Sequence, residues 1–288
     1  MSESFNVTHL AAVLNAEEEG AKQQRARDLS GETAANKFPM TLHKGSSAIA
    51  RPVLSSPLFA FRKDSIRLTY TVAHPLVVST YSCEQYGDNC MLTYQGEQLR
   101  QDDQRVLIGL IESLGGREVD DCIAVNARDF CEHIGWGRYT TSVEKLKESL
   151  IRLYGASLQI RHRRGMRMTR FLSHAEILDG EMVVNLHRDM LHFFEAGFTY
   201  LRIEQYRVLT DGFATWLYGF LKAHTDETCF DLEDVRKASG STADTRTFGT
   251  MMRQTMEKFV DEGFVGAFQF KRGKLMNVSW RTVAQALA

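Results

Sequence analysis

Nine basic side chains fall between Trp136 and Leu172: Arg138, Lys145, Lys147, Arg152, Arg161, Arg163, Arg164, Arg167 and Arg170. Glu144 and Glu148 are the acids of this stretch, so it carries +7, while the whole chain, with 35 basic and 36 acidic residues, carries −1. The other 251 residues therefore carry −8. A nearly neutral chain has gathered positive charge in one place, as expected where a polyanion docks. Cations at a turn bind phosphates without regard to sequence, and an arginine at a helix start can pair both acceptors of a guanine.

Those side chains need elements to hold them. Arg138-Tyr139-Thr140-Thr141-Ser142 is small, polar and basic. Val143, Leu146, Leu150 and Leu153 then recur at three and four residues, which predicts a helix with one apolar stripe. Ser142, Lys145 and Ser149 are expected on its other faces, and Gly155 stops it. Ala156, Leu158 and Ile160 alternate with Ser157, Gln159 and Arg161, and Met166 and Met168 alternate with Arg167 and Thr169. Strand period on both sides of Arg161-His162-Arg163-Arg164-Gly165 predicts a hairpin with a basic tip. The expectation is a DNA-reading helix followed by the wing of a winged-helix domain. Arg138, Tyr139, Thr140, Thr141, Ser142 and Lys145 would face bases or nearby phosphates, and Arg161, Arg163, Arg164 and Arg167 would hold phosphates. A solvated charged helix beside any hairpin would show the same charge.

The pattern occurs twice, and that favours the first reading. Phe213, Trp216, Leu217, Phe220 and Leu221 make one helical stripe, Leu232 and Val235 a shorter one, and Phe248, Met252, Met256 and Phe259 a third that ends at Gly263. Phe264–Phe270 and Leu275–Trp280 read as strands around Lys271-Arg272-Gly273-Lys274. Upstream, Val106, Leu107, Leu110, Ile111 and Leu114 make a helix capped by Asp102, and Ala127, Phe130 and Ile134 a short one starting at Asn126. Helix stop to tip glycine is 10 residues in both halves, Gly155 to Gly165 and Gly263 to Gly273. The repeat is one of pattern, with almost no identity. In the second half the candidates are Thr245, Arg246 and Arg253 for bases, and Lys271, Arg272 and Lys274 for phosphates.

At 288 residues about two domains are expected. The expected architecture is α+β: a flexible N-terminal tail over 1–50, a winged-helix domain over 51–186, and a second over 187–288. The tail has too little apolar surface to offset chain entropy. Ile66–Val72 and Cys90–Tyr94 read as strands in the first domain, His74–Asn89 as a loop, and Glu181–Leu186 as a third strand closing the sheet of the basic hairpin. No run of roughly 18 apolar residues and no signal-like N-terminus occur, so a cytosolic protein with reduced cysteines is expected.

Catalytic chemistry finds no support. The nearest phosphate-loop candidate, Gly266 to Gly273-Lys274, has six residues between its glycines instead of four and Leu275 where Ser or Thr belongs. The nine histidines contain no His-x-His pair for a nicking enzyme's metal, and His187, His192 and His224 read as packing residues. Asp102-Asp103 and Asp120-Asp121 are better explained as helix and loop caps. No enzyme, cofactor or metal site is expected.

Three runs carry a family resemblance: Ser56-Pro57-Leu58-Phe59, Thr93-Tyr94-Gln95-Gly96-Glu97-Gln98-Leu99 leading to Asp102-Asp103, and Leu146 through Leu153. With Phe213-Ala214-Thr215-Trp216-Leu217-Tyr218-Gly219-Phe220, they resemble the TrfA family of plasmid replication initiators across about residues 53–280. The resemblance implies two winged-helix domains that bind iterons in double-stranded origin DNA and open a nearby AT-rich element, with contact to its single strands. It also implies recruitment of the host initiator, helicase and sliding clamp, and a monomer–dimer equilibrium that sets plasmid copy number. The Gln-led clamp motif known in the family has no convincing copy here. Two other readings keep the same domains: a winged-helix transcriptional regulator, and a module whose basic patch meets an acidic protein. Direct repeats beside the gene favour an initiator, and an inverted repeat favours a regulator.

Overall fold

The structure, a computed structural model, describes residues 46–61, 69–75, 91–118, 120–162, 165–195, 198–209, 212–224, 229–271 and 274–279. The first strand, β1 (Ser46–Ala50), is buried throughout and runs into a short helix, α1 (Arg51–Ser55). Pro52 sits in the first turn of α1, where a missing N–H breaks no helical bond. Strands β2 (Thr69–Pro75) and β3 (Met91–Glu97) pair antiparallel. Helix α2 (Gln101–Ser113) starts just before the expected Asp102: the Asp103 carboxylate accepts the Arg100 N–H at 2.9 Å. After β4 (Ile123–Asn126) comes α3 (Ala127–His133), where the Asn126 side chain accepts the Arg128 N–H at 3.0 Å. Helix α4 (Thr140–Gly155) buries Leu146, Leu150 and Leu153 as its spacing predicts, but also Ser142, Ser149 and Arg152. Strands β5 (Ser157–His162), β6 (Gly165–Thr169), β7 (Leu172–Leu178) and β8 (Glu181–Leu186) follow.

A 3-10 turn (Arg188–Met190), α5 (Leu191–Glu195), β9 (Phe198–Arg202) and α6 (Ile203–Val208) lead to the second half. There α7 (Phe213–Ala223) packs Trp216, Leu217 and Phe220 inward. Then come β10 (Cys229–Asp231), α8 (Leu232–Ala238), α9 (Thr245–Asp261), β11 (Ala267–Lys271) and β12 (Lys274–Ser279).

The duplication is present as topology. Three helices, with a short strand after the first, are followed by a hairpin in each half: α2-β4-α3-α4-β7-β8 and α7-β10-α8-α9-β11-β12. Both three-stranded sheets place the last strand in the middle, β4-β8-β7 and β10-β12-β11. The hairpin that completes the first half is not the expected one. The basic hairpin β5–β6 belongs to a separate four-stranded sheet, β2-β3-β5-β6. Glu181–Leu186 does not close that sheet either; it pairs with Ile123–Asn126, Val184 opposite Ile123. Alternation and a basic turn describe any antiparallel hairpin, whereas partner choice is set at long range, here by buried Tyr94 of β3 lying opposite buried Leu158 of β5.

The expected boundary at residue 50 also moves. Strand β1 pairs with β9, Ser46 opposite Arg202 and Ala50 opposite Phe198, so the segment read as the end of a tail is a core strand. Residues 46–61 lie against the second half although they precede the first. Leu54 packs on α7 at Gly219, the Phe61 ring sits 5.3 Å from Phe213, and the Phe61 N–H donates to the Ser239 carbonyl at 2.7 Å. The same segment is tied to α2: Gln101 Nε2 donates to the Phe59 carbonyl and Gln104 Nε2 to the Val53 carbonyl, both at 2.8 Å. One continuous apolar core results, in which each fully buried Leu or Phe contributes about 1.5–3 kcal/mol. The remainder of the expected tail, 1–45, and most of the expected loop His74–Asn89 lie outside the described residues. Among the described residues no helix is long and apolar enough to cross a membrane.

Candidate nucleic-acid interface

Helix α9 begins with a side-chain cap. Asp244 accepts both the Thr247 N–H, at 2.9 Å, and the Thr247 hydroxyl, at 2.7 Å, and these bonds hold its carboxyl below the usual range. Phe248, Met252, Met256 and Phe259 are buried, so the opposite side of the helix, with Thr245, Arg246, Thr250 and Arg253, points outward. The Arg253 guanidinium lies 5.1 Å from the centre of the Phe270 ring on β11. Thr245, Arg246, Thr250, Arg253, Phe270 and Lys271 line a groove of about 540 Å³, floored by Leu232 and Gly249. Four of the expected residues, Thr245, Arg246, Arg253 and Lys271, thus meet on one surface. Among the described residues Arg246, Arg253 and Lys271 form no ion pair, so their charge faces the groove uncompensated. Lys274 stands opposite Lys271 in the β11–β12 ladder, and Arg272 lies outside the described residues.

A brace before α9 sets its angle, and sequence reasoning missed it. Arg236 forks onto Glu233, Nε to Oε2 at 2.8 Å and Nη2 to Oε1 at 2.6 Å. Its Nη1 also donates to the Ser241 and Ala243 carbonyls, both at 3.3 Å. The Thr245 hydroxyl donates to Glu233 Oε2 at 3.3 Å, tying the first residue of α9 into the same ring. The Arg236 hydrogen bond holds the Glu233 carboxyl down to about 2, and Glu233 in turn raises Arg236. The visible signal was the Glu233/Arg236 spacing of three residues on a helix.

The first half differs. Tyr139, Thr140 and Thr141 are exposed at the start of α4, as expected. Ser142 is not available: it is buried and its hydroxyl donates to the Trp136 carbonyl at 2.9 Å, bracing the turn before α4. Lys145 is half-buried with its ammonium 3.9 Å from the centre of the Trp136 ring. Arg138 is bound to two acids of α3, Asp129 and, at 3.2 Å, Glu132, which raise its pKa. Arg152 lies inside the fold, its Nε 2.9 Å from Asp103 Oδ1 and its Nη2 3.2 Å from Ser149 Oγ. Lys147 pairs with Glu144 at 2.9 Å. The +7 of the sequence therefore overstates the charge that a polyanion meets.

The basic hairpin is likewise displaced from its expected role. Arg161 stands in β5 opposite Met166, and Arg167 is half-buried in β6. Arg163 and Arg164 lie outside the described residues. At the tip that matches Lys271–Lys274 topologically, the first half carries Asp179-Gly180 followed by Glu181, and no cation.

The sequence model of the TrfA protein family matches residues 77–268. No curated protein matches the chain. Among solved structures, the chain is similar to the crystal structure of domains 2 and 3 of RctB, with a TM-score of 0.57 at 9% identity, covering 81% of this chain and 99% of that one. A second RctB domains 2-3 structure gives a TM-score of 0.54 at 11% identity, covering 83% and 99%. At such identities the likeness is one of fold.

Proposed function

The chain belongs to the TrfA family of plasmid replication initiators, and from that premise we propose that it binds origin DNA through two winged-helix units, α4 and α9 entering successive major grooves. The observation that supports this best is the groove of the second half, where Arg246 near the start of α9, Arg253 two turns further on and Lys271 of β11 line one surface and, among the described residues, form no ion pair. That arrangement suits a helix N-terminus reading base edges with phosphates held on its flank. The same element order in the first half supplies a second helix. Because the halves differ in sequence, each site is a direct, non-palindromic element of roughly two turns, as iterons are.

In this reading the protein performs no catalysis. Binding at repeated sites loads the origin, opens an AT-rich element, and brings in the host initiator, helicase and sliding clamp in the bacterial cytoplasm, with self-association limiting copy number. Selection of duplexes from a randomised library tests it. The expected product is an asymmetric site of about 20 base pairs, two turns long. An inverted repeat bound by a dimer would overturn it in favour of a transcriptional regulator. Arg246→Ala should relax one base position of the selected site, a contact worth about 1–3 kcal/mol of discrimination. An unaltered preference removes Arg246 from the reading set.

A further inference from the structure

Two reading helices recognise a fixed site only if their relative angle is fixed. The joint that could fix it lies where α2, α3 and α6 meet, and Arg105 occupies its centre. This arginine is 3% exposed. Its Nη1 donates to the Ile134 carbonyl at 3.1 Å and to the Arg207 carbonyl at 3.3 Å, and its Nη2 donates to the Leu209 carbonyl. Ile134 is the C-cap of α3, Arg207 lies in the last turn of α6, and Leu209 is its C-cap. The end carbonyls of a helix have no partner within it and carry its partial negative charge. One buried cation therefore answers the exposed ends of two helices. The guanidinium also packs 5.0 Å from the centre of the Tyr206 ring on α6.

These two helices belong to different halves. Helix α3 leads through Gly135 into α4, and α6 leads into α7. Gly135 takes a φ of +86°, and a Cβ there would stand 3.1 Å from the Arg207 carbonyl oxygen. The turn before α4 is thus pressed directly onto the connector of the second half. On the outer side of the joint, Arg207 Nη2 binds Glu112 Oε2 of α2 at 2.9 Å, and His133 Nε2 reaches the same oxygen at 3.1 Å. A lysine at 105 would keep the charge but lack the planar fork that serves three carbonyls at once.

We propose that Arg105 is the positioning residue that sets the angle between α4 and α9, and so the half-site spacing the protein accepts. The proposal rests on the two-groove reading above. The test uses the full chain and a duplex selected by the unsubstituted protein from a random library, in three forms: intact, with one base pair inserted at its centre, and with five. One inserted pair rotates a half by about 35°, and five by about half a turn. The unsubstituted protein should lose about tenfold or more to the single insertion, and more again to five, because a rigid pair of helices can then engage only one groove properly. Arg105→Lys should bind the single-insertion duplex within about twofold of the intact one, while five pairs still cost it dearly. A simple loss of stability would weaken all three forms together and leave their ratios unchanged. If Arg105→Lys fails to fold, Arg207→Ala opens the same joint from its exposed side and should show the same loss of discrimination. A single-insertion penalty equal to that of the unsubstituted protein, in whichever variant folds, overturns the assignment. An unsubstituted protein indifferent to five pairs overturns the two-groove reading, and the assignment with it.

Discussion

Helices α4 and α9 hold equivalent places in the repeat but are anchored in opposite ways. Helix α4 is fastened through its C-terminal half by Arg152, whose side chain is 6% exposed and meets the fully buried Asp103 of α2. Helix α9 is fastened at its first residue by the half-buried ring of Arg236 and Glu233 with Thr245. The consequence is a different distribution of free charge. The first half spends Arg138, Lys147 and Arg152 on its own acids, and its matching hairpin tip is acidic. The second half leaves Arg246, Arg253 and Lys271 around an open groove. A count of basic residues favours the first half, whereas the geometry leaves more unpaired cations on one surface in the second.

The largest effect should come from the buried anchor. Arg152→Met removes the partner of a carboxylate that cannot reach water, and breaking a buried pair in this way costs about 3–5 kcal/mol. Urea unfolding should show it as a lower midpoint at unchanged slope. Arg236→Ala, whose pair is only partly buried, should cost less by the same measurement. Equal losses in the two variants would abolish the contrast between the anchors.

The next effect is on DNA binding. Each phosphate that the protein no longer neutralises makes the slope of log affinity against log salt shallower by about 0.9. Removing both Lys271 and Lys274, two of the second-half cations assigned to phosphates, should therefore flatten it by about 1–2, while Arg138→Ala, which removes an already paired cation, should leave it nearly unchanged. A larger change from Arg138→Ala than from the double variant would reverse the ranking of the two halves.

How much of this was legible beforehand follows from range along the chain. The stripes of α4, α7 and α9 could be read because a helix takes its period from neighbours three and four residues away. The helix start at Asn126 was equally local. The sheet partners were not. Nothing within β5–β6 says that it pairs with β3, and nothing in Ser46–Ala50 says that its partner lies about 150 residues on. The candidate site followed the same rule. Thr245, Arg246, Arg253 and Lys271 share one surface, as expected, because helix period and hairpin place them on one side. Ser142 was misplaced because its burial depends on how the turn from Trp136 folds back over it, and the charge of Arg152 was overcounted because its partner Asp103 lies 49 residues away. Arg105 looked like any helical arginine, because its carbonyl partners come from 29, 102 and 104 residues away.

The smallest effect concerns the Glu233–Arg236 brace and pH. Glu233 has a folded-state pKa of about 2 against an ordinary 4.5, held down first by its hydrogen bond to Arg236. A depressed carboxyl pKa means that the unfolded chain takes up the proton first as pH falls. The brace therefore contributes fully above 4.5, progressively less below it, and nothing below about 2. The difference in Tm between the unsubstituted protein and Glu233→Gln should be flat from about pH 7 to 5 and shrink as pH falls from 4.5 towards 2. The change should be small, because water reaches and screens this partly open pair. A Tm difference that stays constant down to pH 2 would mean that the ring contributes nothing as an ion pair, leaving the start of α9 to the Asp244 cap alone. In that case helices α4 and α9 would differ in the charge they expose but not in how electrostatics fastens the second of them.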